Sequence, residues 1–265
     1  MYIFKIAYDG RYSFQSQPHR NTVCDKITDT LLECGYLKEG EIPISYGGRT
    51  DLGVSALGNY IVYNITEKPV LSRIYSKLHK HGIWILGFNE LKELPDVKYR
   101  HYRYILPNTG QDIELMKKAS EKLIGTHSFH NLSKRDKTKN RSPIRTIYNI
   151  KIAKNEYFIT IEIFGKSFLW NMVRKIVRLL SNVGLSKYKE FEKFIDDLLD
   201  RDVRMGVQPA SAEGLILVDV KTNTEFKIDE YTVKKFDQYF KKSLNNHSMN
   251  MGLSKTMLSK NQVSL

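Results

Sequence analysis

Cysteine is nearly missing: Cys24 and Cys34 are the two cysteines in 265 residues. They lack C-x-x-C spacing and a third thiol, so neither a disulfide framework nor a zinc site is expected. A reduced, intracellular setting fits. No apolar run is long enough to span a bilayer. Residues 1–10 are too short and too polar for a signal peptide, and a cytoplasmic protein with no membrane-embedded part is expected. No P-loop or glycine-rich dinucleotide fingerprint occurs, and no cluster of His, Cys and Asp points to a metal. Neither nucleotide cofactor nor metal is expected. Acidic residues are also in deficit, with 29 Asp+Glu against 42 Lys+Arg and a formal net charge of +13. That excess favours a polyanionic partner, either nucleic acid or an anionic membrane surface.

What is present has a regular order. Apolar alternation and turn residues predict strands over 2–8, 42–46, 59–65 and 83–88. Helical spacing predicts a helix over 22–34, with Val23, Ile27, Leu31 and Cys34 on one face and Gly35 closing it. Pro69 opens a second helix. The same order returns later. Strands are expected over 99–106, 147–153, 157–164 and 215–220, and helices over 112–124, 167–180 and 188–199. Two tandem β-α-β-β-α-β units suggest an α+β protein of duplicated ferredoxin-like halves. The halves are residues 1–97 and 98–230. Their sheets are expected to join edge to edge into one extended antiparallel or mixed sheet, with helices on one face and a groove on the other. Residues 231–265 form a basic tail, expected to hold one short helix over about 233–244 and otherwise to be mobile.

One loop concentrates chemistry: Gly47-Gly48-Arg49-Thr50-Asp51-Leu52-Gly53-Val54. Its glycines permit close approaches that other residues resist, so the loop can present Asp51 to a substrate as a nucleophile or an acid–base group. An Arg–Asp pair in a tight turn is the plainer reading. Other segments also stand out. Phe14-Gln15-Ser16-Gln17 is rich in amides. Tyr99-Arg100-His101-Tyr102-Arg103-Tyr104 interleaves aromatics and cations on one strand. Gly125-Thr126-His127-Ser128-Phe129 precedes a basic run beginning Lys134-Arg135. Ser167-Phe168-Leu169-Trp170-Asn171-Met172-Val173-Arg174 opens an apolar helix. Taken singly, Tyr102 and Tyr104 are core residues on one sheet face, His127 is a capping group, the basic run is a solvated loop, and Arg174 and Arg178 are surface cations off the buried stripe.

Together these segments resemble the TruA family of tRNA pseudouridine synthases, over nearly the whole chain. Gly48-Arg49-Thr50-Asp51-x-Gly53-Val54 is similar to the family's catalytic loop, Arg100-x-Tyr102-Arg103-Tyr104 to its tyrosine strand, Gly125-Thr126-His127-x-Phe129 to its G-T-H-D-F segment, and the segment ending in Arg174 to its arginine helix. Ser55, Leu52 and Ser128 depart from the common pattern and suggest an archaeal-type or divergent member.

The resemblance implies the pseudouridine synthase fold and isomerisation of uridine to pseudouridine in the anticodon stem-loop of tRNA, by a homodimer without cofactors. It implies Asp51 as the catalytic carboxylate and Arg174 as its partner across the groove. Tyr102 stacks on the extruded uracil or takes part in proton transfer. Arg49 reaches RNA or props the loop, and Leu215 lines the pocket. Arg100, His127, Lys134, Arg135 and Arg178 are weaker candidates for RNA contact. Whether Asp51 attacks sugar, attacks base or removes a ribose proton stays open. The main alternative is a non-catalytic RNA-binding protein reading RNA from its sheet aromatics. A nuclease is the second, although grouped metal-binding carboxylates are missing.

Overall fold

The computed structural model describes residues 1–16, 18, 21–134 and 142–259. Strand β1 (Tyr2–Tyr8) runs into the Asp9-Gly10 turn, and α1 (Val23–Glu33) follows. A capping box starts α1: the Thr22 hydroxyl accepts from the Asp25 N–H, and the Asp25 carboxylate accepts from the Thr22 N–H. This satisfies helix-start donors that water does not reach. Next come β2 (Ser45–Tyr46), β3 (Ser55–Tyr63), α2 (Leu71–Leu78) and β4 (Ile83–Glu90). The second half comprises β5 (Val97–Pro107), α3 (Ile113–Glu121), β6 (Gly125–Ser128), β7 (Ile144–Lys154), β8 (Phe158–Gly165), α4 (Met172–Gly184), α5 (Phe191–Leu199) and β9 (Leu215–Thr222). A short β10 (Lys227–Ile228) and α6 (Glu230–Ser259) complete the order.

All ten strands form one sheet in the order β10-β4-β1-β3-β9-β5-β8-β7-β6, with β2 also on β3. Each half therefore has the ferredoxin-like arrangement, fourth strand beside first, first beside third, third beside second. The expected duplicated α+β architecture is present as a mixed sheet, with β6 and α5 added to the second half. The halves meet where β3 runs parallel to β9, pairing Ser55 with Ile216 and Ala56 with Leu217. Leu217 in turn lies opposite Tyr102 on β5. This register places the loop before β3, which carries Asp51, beside the tyrosine of the other half.

The groove differs from expectation. Tyr102 lies opposite Ile163 and Leu217, and Tyr104 opposite Ile161 and Leu215, so these side chains share one sheet face. Ile161, Ile163 and Leu217 are fully buried, and Tyr104 feels the charges of Arg174 and Arg178 on α4. The cleft at Tyr102 thus opens on the helical face, between the helices of the two halves, and not on the opposite face. The reverse face carries polar pairs, among them Lys5–Asp219 at 3.0 Å.

Two helices also differ from their expected limits. Helix α4 begins at Met172 because Asn171 adopts a left-handed conformation (φ 60°) that stops α-helical winding. Residues 167–170 are therefore a loop. Helix α6 is longer than the expected 233–244; within that stretch Phe236, Tyr239 and Phe240 cluster on the buried Trp84. That apolar packing offsets the ordering entropy which tail composition alone does not cover.

Candidate active site

A buried side chain, Asn59, anchors the start of the Asp51 loop. Asn59 on β3 is fully buried, and its carbonyl oxygen accepts from the Gly48 N–H and the Tyr60 N–H, both at 2.9 Å. Its amide donates to the Gly48 carbonyl at 2.9 Å and to the Tyr8 hydroxyl at 3.1 Å. The Tyr8 hydroxyl is also 2.9 Å from the Thr50 hydroxyl, one residue before Asp51. Loop glycines are required by space. A Cβ on Gly47 would lie 2.6 Å from the Asn59 side-chain oxygen, and one on Gly48 would lie 3.0 Å from Leu217. At Gly53 φ is +92°, which L side chains rarely adopt. Asn59→Ala is expected to lower stability by about 3 kcal/mol, because it strands a buried N–H and a buried carbonyl. Thermal unfolding checks this, and an unchanged midpoint contradicts the role given to Asn59.

Asp51 is clamped from the other half of the chain. Its Oδ2 accepts from Arg174 Nη1 at 3.1 Å, and its Oδ1 accepts from Trp170 Nε1 at 3.2 Å. Arg174 Nη1 also donates to the Asn171 side chain at 3.2 Å, and its Nε to the Ala210 carbonyl at 2.7 Å. The Ala210 N–H donates back to the Arg174 carbonyl at 3.0 Å. Arg174 is thus not a surface cation. It sits on the first turn of α4, with its guanidinium pinned to the segment before β9. Asp51 is more than a third exposed and Arg174 half as much, so the pair is reachable from the cleft.

Tyr102 is buried, and its ring meets Phe168 edge-on at 5.2 Å. Burial pushes its phenol up to about 12, partly opposed by Arg100. Through neutral pH the hydroxyl is protonated and can donate a hydrogen bond, while acting as a base is disfavoured. Both Tyr102 and the buried Leu215 line the cleft.

The cleft encloses roughly 1610 Å³. Arg11 and Arg49 line it from the first half, and Arg100, Lys134, Arg145, Arg174, Arg201 and Arg204 from the second. Asp51 is the single carboxylate among its described lining residues. Several sequence candidates fall here, but not all in the same way. Arg49 is exposed, 3.4 Å from Gln15 Oε1. Arg100 spends its guanidinium on backbone, donating to the Gly47 carbonyl from Nε (2.9 Å) and Nη2 (2.7 Å) and to the Lys166 carbonyl at 2.6 Å. It braces the Asp51 loop across the junction of the halves. Lys134 holds its ammonium over the Trp170 ring, 4.1 Å from the centroid. His127 does not line the cleft; its Nε2 is 2.9 Å from the Ile124 carbonyl, which is the capping reading. Arg178 is exposed and also lies off the cleft. Arg135 lies outside the described residues.

Sequence reading missed Asn59, Trp170, Arg145, Arg201 and Arg204. An Asn opening the otherwise apolar expected strand 59–65 was a legible signal for Asn59, since a buried amide must be satisfied. Among the described residues no group of three His, Cys, Asp or Glu could hold a metal, and no helix is long and apolar enough to cross a membrane.

The chain that builds this basic cleft, with Asp51 paired to Arg174 and bordered by Tyr102, has relatives among known proteins. A family model described as tRNA pseudouridine synthase matches residues 119–223. The tRNA pseudouridine synthase A of Methanococcus maripaludis (strain C6) is 62% identical, with 98% of this chain and 100% of that protein covered. That of Methanocaldococcus jannaschii is 55% identical over 97% of this chain and 98% of that protein. The Pyrococcus abyssi protein of the same description is 34% identical over 88% of this chain and 89% of its own. The chain belongs to the TruA family of tRNA pseudouridine synthases.

Proposed function

We propose that this enzyme isomerises uridine to pseudouridine in tRNA, with Asp51 as the catalytic carboxylate. The reaction breaks the bond from ribose C1′ to uracil N1 and forms one from C1′ to C5, while a proton leaves C5 and N1 gains one. What supports the assignment is the ion pair of Asp51 with Arg174 at 3.1 Å, in a cleft where Asp51 is the single described carboxylate. Arg174 keeps the carboxylate in place and balances its charge within the cleft. Tyr102 supplies a flat apolar wall for a base taken out of its stack, and Leu215 extends that wall. The first half, residues 1–97, carries the Asp51 loop, and residues 98–230 carry Tyr102 and Arg174.

The cationic lining suits a phosphate backbone. Arg49, Lys134, Arg145, Arg201 and Arg204 line the same cleft as the carboxylate, while Arg100 braces the loop. We assign the anticodon stem-loop as the target region, a homodimer as the working form and the cytoplasm as the location. Light scattering with and without tRNA tests the dimer. Affinity for tRNA is expected to fall steeply with salt, since each neutralised phosphate releases counterions. Six or more contacts lower it by about 10³-fold between 50 and 200 mM salt. An affinity indifferent to salt contradicts this reading. The activity itself is tested by incubating the protein with unmodified tRNA transcript and mapping pseudouridine. Product at defined positions is expected; intact tRNA without pseudouridine excludes the enzyme, and cleaved tRNA favours a nuclease.

A further inference from the structure

Trp170 is the second group on the catalytic carboxylate, and neither motif nor composition assigns it a task. It stands in the loop before α4, held there because Asn171 is left-handed and delays the helix. Its indole N–H reaches across the cleft to Asp51 Oδ1 at 3.2 Å. Lys134 fixes the residue from the other side: its backbone N–H donates to the Trp170 carbonyl at 2.8 Å, and its ammonium lies 4.1 Å from the ring centroid. A large aromatic normally seeks burial, yet Trp170 is 47% exposed. The ring is anchored by polar contacts and faces the cleft.

With Arg174 on one oxygen and Trp170 on the other, the Asp51 carboxylate cannot rotate freely about its last bond. An exposed carboxylate held by one partner samples a range of torsions, and reactivity falls as the fraction in the productive one falls. We infer that Trp170 is a positioning residue for Asp51, its N–H fixing the carboxylate plane for attack or proton transfer. Lys134 is the residue that fixes the indole. This inference rests on Asp51 being the catalytic carboxylate.

The test is single-turnover pseudouridine formation on tRNA transcript at saturating protein, measured beside tRNA affinity. Trp170→Phe keeps a ring and loses the N–H. It is expected to slow the saturated rate about 10-fold while leaving affinity within about threefold. Trp170→His restores a ring N–H and is expected to recover part of the rate. Tryptophan emission adds a readout that mere packing would not move. The chain's other tryptophan, Trp84, is buried under α6, so emission lost in Trp170→Phe belongs to Trp170. In otherwise wild-type protein, Asp51→Asn is expected to shift that emission, because the acceptor of its N–H changes. A Trp170→Phe variant with the wild-type saturated rate overturns the inference. So does a defect confined to affinity, which makes Trp170 an RNA contact only. Asp51→Asn is assayed alongside: if it stays active, the assignment of Asp51 fails; if it is inactive while Trp170→Phe is fully active, only the role of Trp170 fails.

Discussion

Asp51→Asn is expected to bind tRNA about as well as the wild type and to form pseudouridine more slowly by roughly 10³-fold or more, leaving only a small residual rate. The substitution is nearly isosteric. Its carbonyl oxygen can still accept from Arg174 or Trp170, so the loop geometry set by Asn59 and Arg100 survives. What disappears is the anionic oxygen from which the proposed reaction starts. A thousandfold loss corresponds to about 4 kcal/mol of transition-state stabilisation. Affinity should be unharmed, or slightly improved, because a carboxylate in a cationic cleft repels phosphate. An active Asn variant would move the chemistry elsewhere, and the cleft offers no second described carboxylate to take it.

Arg174→Lys is expected to lower the saturated rate by about 10- to 100-fold, despite keeping the charge. The guanidinium holds three acceptors in fixed directions: Asp51, Asn171 and the Ala210 carbonyl. A single ammonium on a flexible stem cannot span them together. Charge-assisted hydrogen bonds contribute about 1.5–3 kcal/mol each, which sets the expected range. The effect should be coupled to Asp51. In an Asp51→Asn background, with its residual rate, Arg174→Lys should cost little further, because residues acting as one unit are not additive. Full additivity in that cycle contradicts the pairing, and a Lys variant at wild-type rate contradicts the need for a fork.

The legibility of the site in the sequence follows the range of each interaction. Strand and helix order is local, so periodicity located β1, α1, β5 and α3 within a few residues, and the ferredoxin-like duplication followed. Asp51, Tyr102 and Arg174 were identified from motifs in separate segments, and the fold brings all three to one cleft. Taken singly, Arg174 read as a surface cation. Only the β3–β9 junction reveals its partner, more than a hundred residues away in sequence. The start of α4 was misplaced for a related reason. Residues 167–171 fit an apolar helix, but Asn171 takes the left-handed conformation and frees Trp170 to reach Asp51. Arg100 was expected to meet RNA, whereas its side chain is occupied by the Gly47 and Lys166 carbonyls. His127 and Arg100 show the same limit. A cation's availability depends on neighbours brought by tertiary structure. The cleft's face was misjudged because element order does not say which side of a sheet a loop covers. That is set by the alternation of Tyr102 and Tyr104 against Ile163 and Ile161.

Isomerisation at C5 offers the most direct measurement, since the C5 hydrogen must leave the base as the new carbon–carbon bond forms. Release of tritium from tRNA transcript carrying [5-³H]uridine should follow the same time course as pseudouridine formation. It should persist in chelator, with the RNA chain intact, and vanish in Asp51→Asn. No release by the wild-type protein under saturating conditions, or release undiminished in Asp51→Asn, contradicts the assignment of uridine isomerisation to the Asp51–Arg174 cleft.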